Sequence, residues 1–441
     1  MTEHALLRLT ERIHALPMVP SDRSAISVER DPLYRGRGTK RGEARMTVVM
    51  GRRAALAGSL ALPLFARSGR AASGIPLGAI NPLTGAGGSY GPSMARVAKA
   101  LVERINRAGG VIGRPIALDV EDDQTNPTVG VEAAHKLIDV EKVVAIVGTW
   151  ASAVTTAVAP LCWESHTMLF CVSGADSITR LPHHGYIIRT QPNTHLQSGR
   201  AADFLFQHGS KRVFGLSAQT PFAVDSWNRL KEVLERHGAV GAGDIVYDPK
   251  QTSFRSEIDR ALAARPDTLF LNSYAPDLEI LLRECYQAGF SGKRFTFAYA
   301  ANHAVLKALP AAVTNGLWSF APSPDVTSPA YKAVQGILGV SDPDPYSCQI
   351  YDHVALVALA IGQAGVASGV AIHDNVRKIS QGPGQHLSDP VEGLRLLAEG
   401  KEINYDGASG PCHFTPSGDI LSCKFLFQVA ENQHNKTLFI S

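Results

Sequence analysis

The residues best suited to binding a small molecule lie in loops that follow predicted strands. The first such loop, residues 81–91, reads NPLTGAGGSYG and leads into a predicted helix. Free N–H groups at a helix N-terminus favour an anion, so this loop is a candidate contact for a negatively charged group. Its glycines are spaced G-x-G-x-x-x-G, one residue longer than the dinucleotide fingerprint, which argues against a nucleotide. Tyr90 either reaches the ligand or packs on its own helix.

Two more loops of the same kind carry hydroxyl groups and exposed backbone. Residues 148–152 read GTWAS and residues 173–177 read SGADS, each after an apolar strand. Ser152 occupies the expected N-cap position, where its hydroxyl caps the helix, holds a carboxylate, or does both. Trp150 is too large for a tight turn unless it faces open space. The candidate contacts in these loops are Trp150, Ala151, Ser152, Ser173, Gly174 and Ala175.

Aromatic residues occupy the equivalent loops in the second half of the chain. Phe222, Tyr274 and Tyr299 each follow a predicted strand. Any one of them is as readily a core residue as a ligand contact. Their shared position makes all three candidate contacts, because open α/β sheets bind ligands at the carboxyl ends of their strands.

Catalytic and metal-binding patterns are missing from the sequence. The fifteen histidines are scattered, and His183-His184 has no third ligand at a metal-binding spacing. There is no H-E-x-x-H, G-x-S-x-G or Walker motif. Asp122-Asp123 resembles a carboxylate pair, but a turn at a strand end is the favoured interpretation. We therefore expect no enzyme activity, no metal and no cofactor.

The elements that position these loops alternate between strand and helix. Apolar runs predict two series of buried parallel strands, each strand followed by a helix, so the fold class is α/β with two doubly wound units in tandem. Strands are predicted at 77–81, 116–120, 143–147, 168–172, 186–189, 213–217, 244–247, 268–272 and 294–297. Helices are predicted at 94–105, 128–139, 153–164, 224–237, 254–263, 277–288, 346–365, 371–379 and 390–399, before a hairpin at 412–428.

Length and composition fit a globular chain of two or three domains. The 441 residues are 45% hydrophobic and 19% charged, and the formal charge of +3 gives no case for nucleic acid. No window is apolar enough to predict a membrane-spanning helix. Residues 1–72 carry 13 Lys/Arg and 6 Asp/Glu, whereas the remaining residues have a small acidic excess. The basic charge is therefore confined to the N-terminus.

This basic N-terminus ends in an export signal pattern. Arg52-Arg53 precedes a short, weakly apolar run at 54–66 and then small residues, which is typical of a secretory signal peptide and favours the twin-arginine route. A basic amphipathic arm is the alternative. We expect residues 46–72 to be the signal peptide, cleaved near Ala71 or Ala72, with export to the periplasm. Residues 1–45 are then an over-extended start or a disordered extension.

Seven short stretches have the composition and order of motifs in a known family: 78–85 (GAINPLTG), 90–91 (YG), 105–113 (INRAGGVIG), 122–127 (DDQTNP), 143–148 (VVAIVG), 188–192 (IRTQP) and 351–352 (YD). Over residues 75–430 the chain resembles the periplasmic substrate-binding proteins of branched-chain amino-acid and amide ABC transporters, the Leu/Ile/Val-binding type I family. The resemblance implies a monomer that binds a small-molecule ligand and docks on the membrane permease subunits of an importer.

The resemblance also implies two lobes joined by three crossings, with the ligand clamped between them. Residues 75–194 and 321–408 would form the first lobe, and residues 195–320 and 409–436 the second. Ligand contacts of the family match Ser152, the 173–175 loop and the loop tyrosine already described. Aromatic contacts of the second lobe match Phe222 and Tyr274, and a late contact matches Tyr346.

Two departures from the leucine-binding pattern concern the ligand. Ala175 stands where leucine binders have a threonine that holds the ligand's carboxylate and amine, and residues 297–301 lack the acidic residue that pairs with the ligand ammonium. A desolvated ammonium without a counter-charge is costly. An aromatic or other apolar carboxylate, or an amide, is therefore as plausible as an amino acid, for which Asp176 would have to supply the missing charge.

Two questions stay open in the sequence. Cys412 and Cys423 lie symmetrically about a predicted turn at 416–419, which suits either a disulfide or two free thiols on opposite strands. The second question is the class of protein. A cytosolic ligand-sensing regulator of the amide-sensor type would use the same fold, and the export signal favours the transport receptor over it.

Overall fold

The computed structural model describes residues 74–421 and 423–441; the predicted extension and signal peptide, 1–45 and 46–72, lie outside the described residues. Strands and helices alternate as predicted. The strands are β1 Ile75–Asn81, β2 Ile116–Asp122, β3 Ala145–Gly148, β4 Met168–Cys171, β5 Ile187–Arg189, β6 Arg212–Ala218, β7 Val240–Tyr247, β8 Thr268–Asn272, β9 Lys293–Phe297, β10 Leu317–Ser323, β11 Gln385–Leu387, β12 Ile403–Gly407, β13 Gly410–Pro411, β14 Lys424–Glu431 and β15 His434–Ile440. The helices are α1 Gly91–Arg107, α2 Pro127–His135, α3 Ser152–Glu164, α4 Thr194–Gln207, α5 Pro221–Arg236, α6 Arg255–Ala263, α7 Ala275–Gln287, α8 His303–Ala308, α9 Ala311–Thr314, α10 Pro329–Leu338, α11 Pro345–Ala364, α12 Gly369–Gln381 and α13 Pro390–Ala398.

The first lobe is built on a five-stranded parallel sheet in the order β2-β1-β3-β4-β5. Strands β3 and β4 are buried along their whole length, because helices cover both faces of the sheet. The returning helices α10 to α13 belong to this lobe, and α11 is buried through almost all of its twenty residues. Within the described residues no single helix is long and apolar enough to cross a bilayer. Helices α11 and α12 reach that length and apolar composition only when taken together, and they are bent by 100° relative to each other.

The second lobe has a seven-stranded sheet in the order β15-β14-β10-β9-β8-β6-β7. Its first five strands in chain order are parallel and repeat the order of the first lobe, while β14 and β15 add antiparallel strands at one edge. This order, in which the chain turns back after its second strand and places the third on the other side of the first, is that of a doubly wound sheet. The predicted fold class, two doubly wound α/β lobes, is confirmed.

The chain passes between the lobes three times. The first passage joins β5 to α4, which begins at Thr194, where the boundary of the first lobe is predicted. The predicted boundary after residue 320 falls inside β10. The third passage comes later than predicted, because Cys412, Phe414 and Ile420 are buried with the core of the first lobe. Residues 409–420 therefore belong to the first lobe and not to the second.

The hypothesis of a disulfide between Cys412 and Cys423 is wrong for this structure, in which both thiols are free. Cys412 is fully buried in the core of the first lobe, whereas Cys423 packs against the core of the second. The hairpin turn forms through the Phe414–Ile420 bridge. Beyond that bridge, however, its two arms run to different lobes and separate the sulfur atoms.

Candidate functional site

A small cavity lies between the lobes, where the carboxyl ends of the two sheets face each other. Both lobes contribute to its wall. The lining residues are Trp150, Ala151, Ser152, Val172, Gly174, Gln191, Phe222, Tyr274, Tyr299 and Tyr346. Eight of the eleven predicted contacts are among them. The other three, Tyr90, Ser173 and Ala175, lie behind the wall, and Val172 and Gln191 were not predicted.

Trp150 is the centre of an aromatic cluster that both lobes share. Its ring centroid lies 5.9 Å from that of Tyr90 and 5.8 Å from that of Tyr346, both in the first lobe. Across the cleft it lies 5.6 Å from Tyr274 and 5.5 Å from Tyr299. The Tyr90 ring is stacked on that of Trp150, the Tyr274 ring is tilted, and the rings of Tyr299 and Tyr346 are edge-to-face, and offset stacking and edge-to-face contacts are the arrangements that aromatic rings favour. Trp150 therefore faces the cleft, as its size in a short loop predicted.

Two glycines permit this close approach of rings. A Cβ on Gly87 would lie 2.8 Å from Cε3 of Trp150, and a Cβ on Gly174 would lie 2.5 Å from Cε2 of Phe222. Both distances are far below van der Waals contact. Gly174 follows β4 in the first lobe, and Phe222 lies in the first turn of α5 in the second, so this contact crosses the cleft.

Ser152 is not the N-cap of α3, as the sequence suggested, but its first helical residue. The N-cap position is Ala151, whose side chain offers no capping hydrogen bond. The Ser152 hydroxyl oxygen instead accepts a hydrogen bond from the backbone N–H of Ala175, at 3.2 Å. Its own O–H is then left for a ligand, next to helix N–H groups that no side chain caps. This end of the cavity is a site for an acceptor or an anion.

Ser173 and Ala175 hold the loop in shape and do not reach the cavity. The Ser173 hydroxyl donates to the backbone carbonyls of Thr149, at 2.6 Å, and Trp150, at 3.1 Å. The carbonyl of Ala175 accepts from a terminal nitrogen of Arg189 at 2.6 Å. Arg189 is fully buried and forms an ion pair with Asp419, which lies in the first lobe just before the third passage. The ligand loop is thus tied to the residues that lead into that passage.

Tyr90 closes the cleft rather than lining it. Its hydroxyl donates to the backbone carbonyl of Tyr299 at 3.1 Å, from the first lobe to the second. The neighbouring Ser89 hydroxyl accepts from the side-chain amide of Asn302 at 3.4 Å. These two hydrogen bonds join the lobes on one side of the aromatic cluster, so the structure shows the closed arrangement of the lobes.

Among residues 74–421 and 423–441, no acidic or basic side chain lines the cavity. Burial raises the pKa of the phenols of Tyr274, Tyr299 and Tyr346 above their ordinary value, so all three are neutral at pH 7. Asp176, the predicted substitute for the missing counter-charge, accepts a hydrogen bond from the backbone of His195 instead. The polar groups of the wall are neutral.

Three carboxyl groups, two of them buried and that of Asp344 half-buried, lie near the aromatic cluster. Asp344 caps α11 through the Ser347 N–H at 2.9 Å, and Asp277 accepts from the Tyr247 hydroxyl at 2.6 Å. Asp123 accepts from the backbone of Thr125 at 2.7 Å. Burial raises the pKa of Asp277 and of Asp123 to about 6. Each carboxyl group serves its own turn or helix, and none reaches the cavity wall.

Gln191 is a polar lining residue that was not predicted from the sequence. It follows β5, and it lies within the 188–192 motif, so the strand-end argument applies to it as well. Its side-chain Oε1 accepts a hydrogen bond from Nε2 of Gln349 in α11, at 2.8 Å. Within the described part of the chain, no cluster of His, Cys, Asp and Glu could hold a metal ion.

Comparisons with known proteins agree with this architecture. Residues 74–434 match the sequence model of the family described as "Periplasmic binding protein". The substrate-binding protein BasB of the chemotactic signal transduction system of Halobacterium salinarum is 26% identical over 77% of this chain and 83% of its own. The leucine binding protein LivK from Thermotoga maritima superimposes with a TM-score of 0.71 at 20% identity, over 83% of this chain and 98% of its own. A solute binding protein of an ABC transporter from R. palustris, solved with 4-hydroxybenzoate, gives 0.66 at 20% identity, over 83% and 96%. The chain belongs to the periplasmic binding protein family.

Proposed function

We propose that this protein is a periplasmic solute receptor that closes its two lobes on a small ligand and delivers it to the permease subunits of an ABC importer. The observation that carries the proposal is the cavity itself, which is walled by strand-end loops of both lobes. A ligand held there contacts both lobes at once, so binding favours the closed arrangement. Tyr90 adds a direct hydrogen bond between the lobes in that arrangement.

The ligand class that the wall favours is a small, largely apolar carboxylate or amide, with an aromatic ring as the best fit to the cluster around Trp150. The wall offers aromatic faces, the Ser152 hydroxyl and the uncapped start of α3, but no carboxylate. A buried ammonium without a partner would be strongly unfavourable. Branched-chain and other amino acids are the second candidate, because LivK is named a leucine binding protein; the R. palustris receptor was solved with 4-hydroxybenzoate.

A ligand panel tests this proposal directly. Purified protein that begins at residue 73 is titrated with benzoate, 4-hydroxybenzoate, benzamide, leucine and phenylalanine, by thermal shift and by calorimetry. A ligand that binds only the folded protein raises its melting temperature, and above the dissociation constant the stabilisation grows with the logarithm of the ligand concentration. We expect the aromatic carboxylates to give the largest shifts. The Trp150→Ala variant is the control, because it removes the centre of the cluster and should abolish the response.

The cellular location separates the receptor from the ligand-sensing regulator. The receptor requires export, which the signal pattern at 46–72 predicts, whereas a regulator of the amide-sensor type acts in the cytosol. Fractionation of cells that express the native gene should place the processed protein in the periplasm. An unprocessed cytosolic pool that accounts for most of the protein would favour the regulator.

A further inference from the structure

We infer that Gln191 sets the charge selectivity of the cavity: held by Gln349, it presents its side-chain NH₂ to the ligand and so selects an acceptor, a carboxylate, over a cation. This inference rests on the proposed function, since it concerns a ligand bound in the same cavity. Gln191 borders the cavity although only 3% of its surface is exposed.

The hydrogen bond between the two glutamines fixes which end of Gln191 is available. Its Oε1 is occupied by Nε2 of Gln349, at 2.8 Å. Among the described residues its own Nε2 has no hydrogen-bond partner. This nitrogen is not one of the fully buried polar atoms that lack a partner, so part of its surface is accessible. The NH₂ group is therefore the end of Gln191 that remains open to a ligand. The Ser152 O–H is a second donor in the same wall.

The reverse orientation of both amides is less favourable. Gln349 is buried in α11 with its Oε1 unpartnered. If both amides were flipped, Gln349 would accept one bond and leave both N–H groups of its own amide unpartnered in the interior. Unpartnered buried N–H groups are rarer in proteins than under-satisfied carbonyls. The burial of Gln349 thus favours the orientation in which Gln191 presents its N–H donors to the cavity.

Charge-reversed isosteres test this assignment. Benzoate, benzamide and benzamidine have nearly the same shape and carry a negative, a zero and a positive charge. The wild-type protein should bind benzoate more tightly than benzamidine. Gln191→Glu places a carboxylate at the wall, which Gln349 can still hydrogen-bond. It should weaken benzoate and strengthen benzamidine, each by at least about tenfold, as expected for bonds to charged groups.

Two further variants separate selectivity from folding. Gln219→Glu makes the same charge change at an exposed position just after β6, and it should leave the benzoate-to-benzamidine ratio unchanged. Gln349→Met keeps the volume of the buried side chain but removes the hydrogen bond to Gln191. It should reduce the ratio by at least about threefold. A purely structural role for Gln349 would instead weaken both probes equally.

The outcomes distinguish the two proposals. If the wild-type protein binds benzoate and Gln191→Glu keeps the wild-type ratio, Gln191 does not set selectivity, and the receptor function stands. If the wild-type protein prefers benzamidine, the inference is overturned by that measurement alone. If no compound of the ligand panel binds, the receptor function fails and the inference fails with it.

Discussion

The contact between Gly174 and Phe222 should control closure of the cleft. An alanine Cβ at position 174 would lie 2.5 Å from Cε2 and 2.9 Å from Cδ2 of the Phe222 ring, and 2.9 Å from Nε2 of Gln197. Ordinary contact begins near 3.4 Å, so the ring edge would have to retreat by about 1 Å. Phe297 backs the ring, with centroids 4.8 Å apart, and leaves little room for that movement.

The cost of Gly174→Ala follows from this overlap. Overpacking of a well-packed contact costs about 1–3 kcal/mol, which is about 5- to 150-fold in a dissociation constant. Because Gly174 and Phe222 belong to different lobes, the cost falls on the closed arrangement. We expect benzoate binding to weaken within this range, while the melting temperature of the ligand-free protein changes little.

Calorimetric titration of four proteins isolates the effect: wild type, Gly174→Ala, Phe222→Leu and the double variant. Phe222 also lines the cavity, so its own substitution alters binding, and only the double-mutant cycle separates the two contributions. Leucine has no ring edge at the point of overlap, so the alanine should cost much less beside it. Gly336→Ala is the matched control, because a Cβ there meets no atom within 4 Å.

Either of two results would refute this reasoning. One is wild-type affinity in Gly174→Ala, which would mean that the cleft binds ligand without the Gly174–Phe222 contact. The other is an equal loss with phenylalanine and with leucine at position 222. The alanine would then act through its own loop and not across the cleft.

Three other substitutions have expected outcomes. Tyr90→Phe removes only the hydroxyl that donates to Tyr299, so benzoate affinity measured by calorimetry should fall about 2- to 12-fold, and an unchanged value would mean that this bond does not stabilise closure. Ser152→Ala should weaken benzoate by tenfold or more, because a bond to a charged group contributes about 1.5–3 kcal/mol; unchanged affinity would remove Ser152 from the site. Burial raises the pKa of Asp123 to about 6, above its value in the unfolded chain. The protonated carboxyl therefore contributes to the stability of the folded state, and this contribution is lost as pH rises from about 4 through 6. Urea unfolding should therefore show that Asp123→Asn gains stability relative to wild type between pH 4.5 and 7.5, by about 2 kcal/mol; a difference independent of pH would contradict this.

The sheets were predictable from the sequence because buried parallel strands are continuous apolar runs. The strand predicted at 143–147, for example, is observed at Ala145–Gly148, every residue of it buried. Of the described elements, helices α4, α8, α9 and α10 and strands β10 to β13 and β15 were not predicted, and two of these helices show the physical reasons. Proline suggested an irregular stretch near 322–329, but Pro329 occupies the first turn of α10, where its missing N–H costs nothing, and Ser328 caps that helix.

Helix α4 was not predicted because polar side chains make up part of its buried face. Residues such as Gln197 and Ser198 are buried beside Ala201 and Ala202, against the neighbouring helix and sheet of the second lobe. Apolar periodicity is weak in such a face. A local signal was present all the same: Asn193 caps the helix through the N–H of Leu196.

The strand-end argument identified the right loops, but it could not say which side chain of a loop faces the ligand. In the 173–175 loop the two outer residues turn away, Ser173 to the carbonyls of Thr149 and Trp150, and Ala175 to Arg189. Only Gly174, between them, reaches the cavity. These orientations depend on partners that are distant in the sequence, and the partner of Arg189 lies 230 residues further along the chain. A polar residue in such a loop is thus as often one that holds the loop in shape as one that faces the ligand. Gln191 does both, because it lines the cavity and is hydrogen-bonded to a residue of α11.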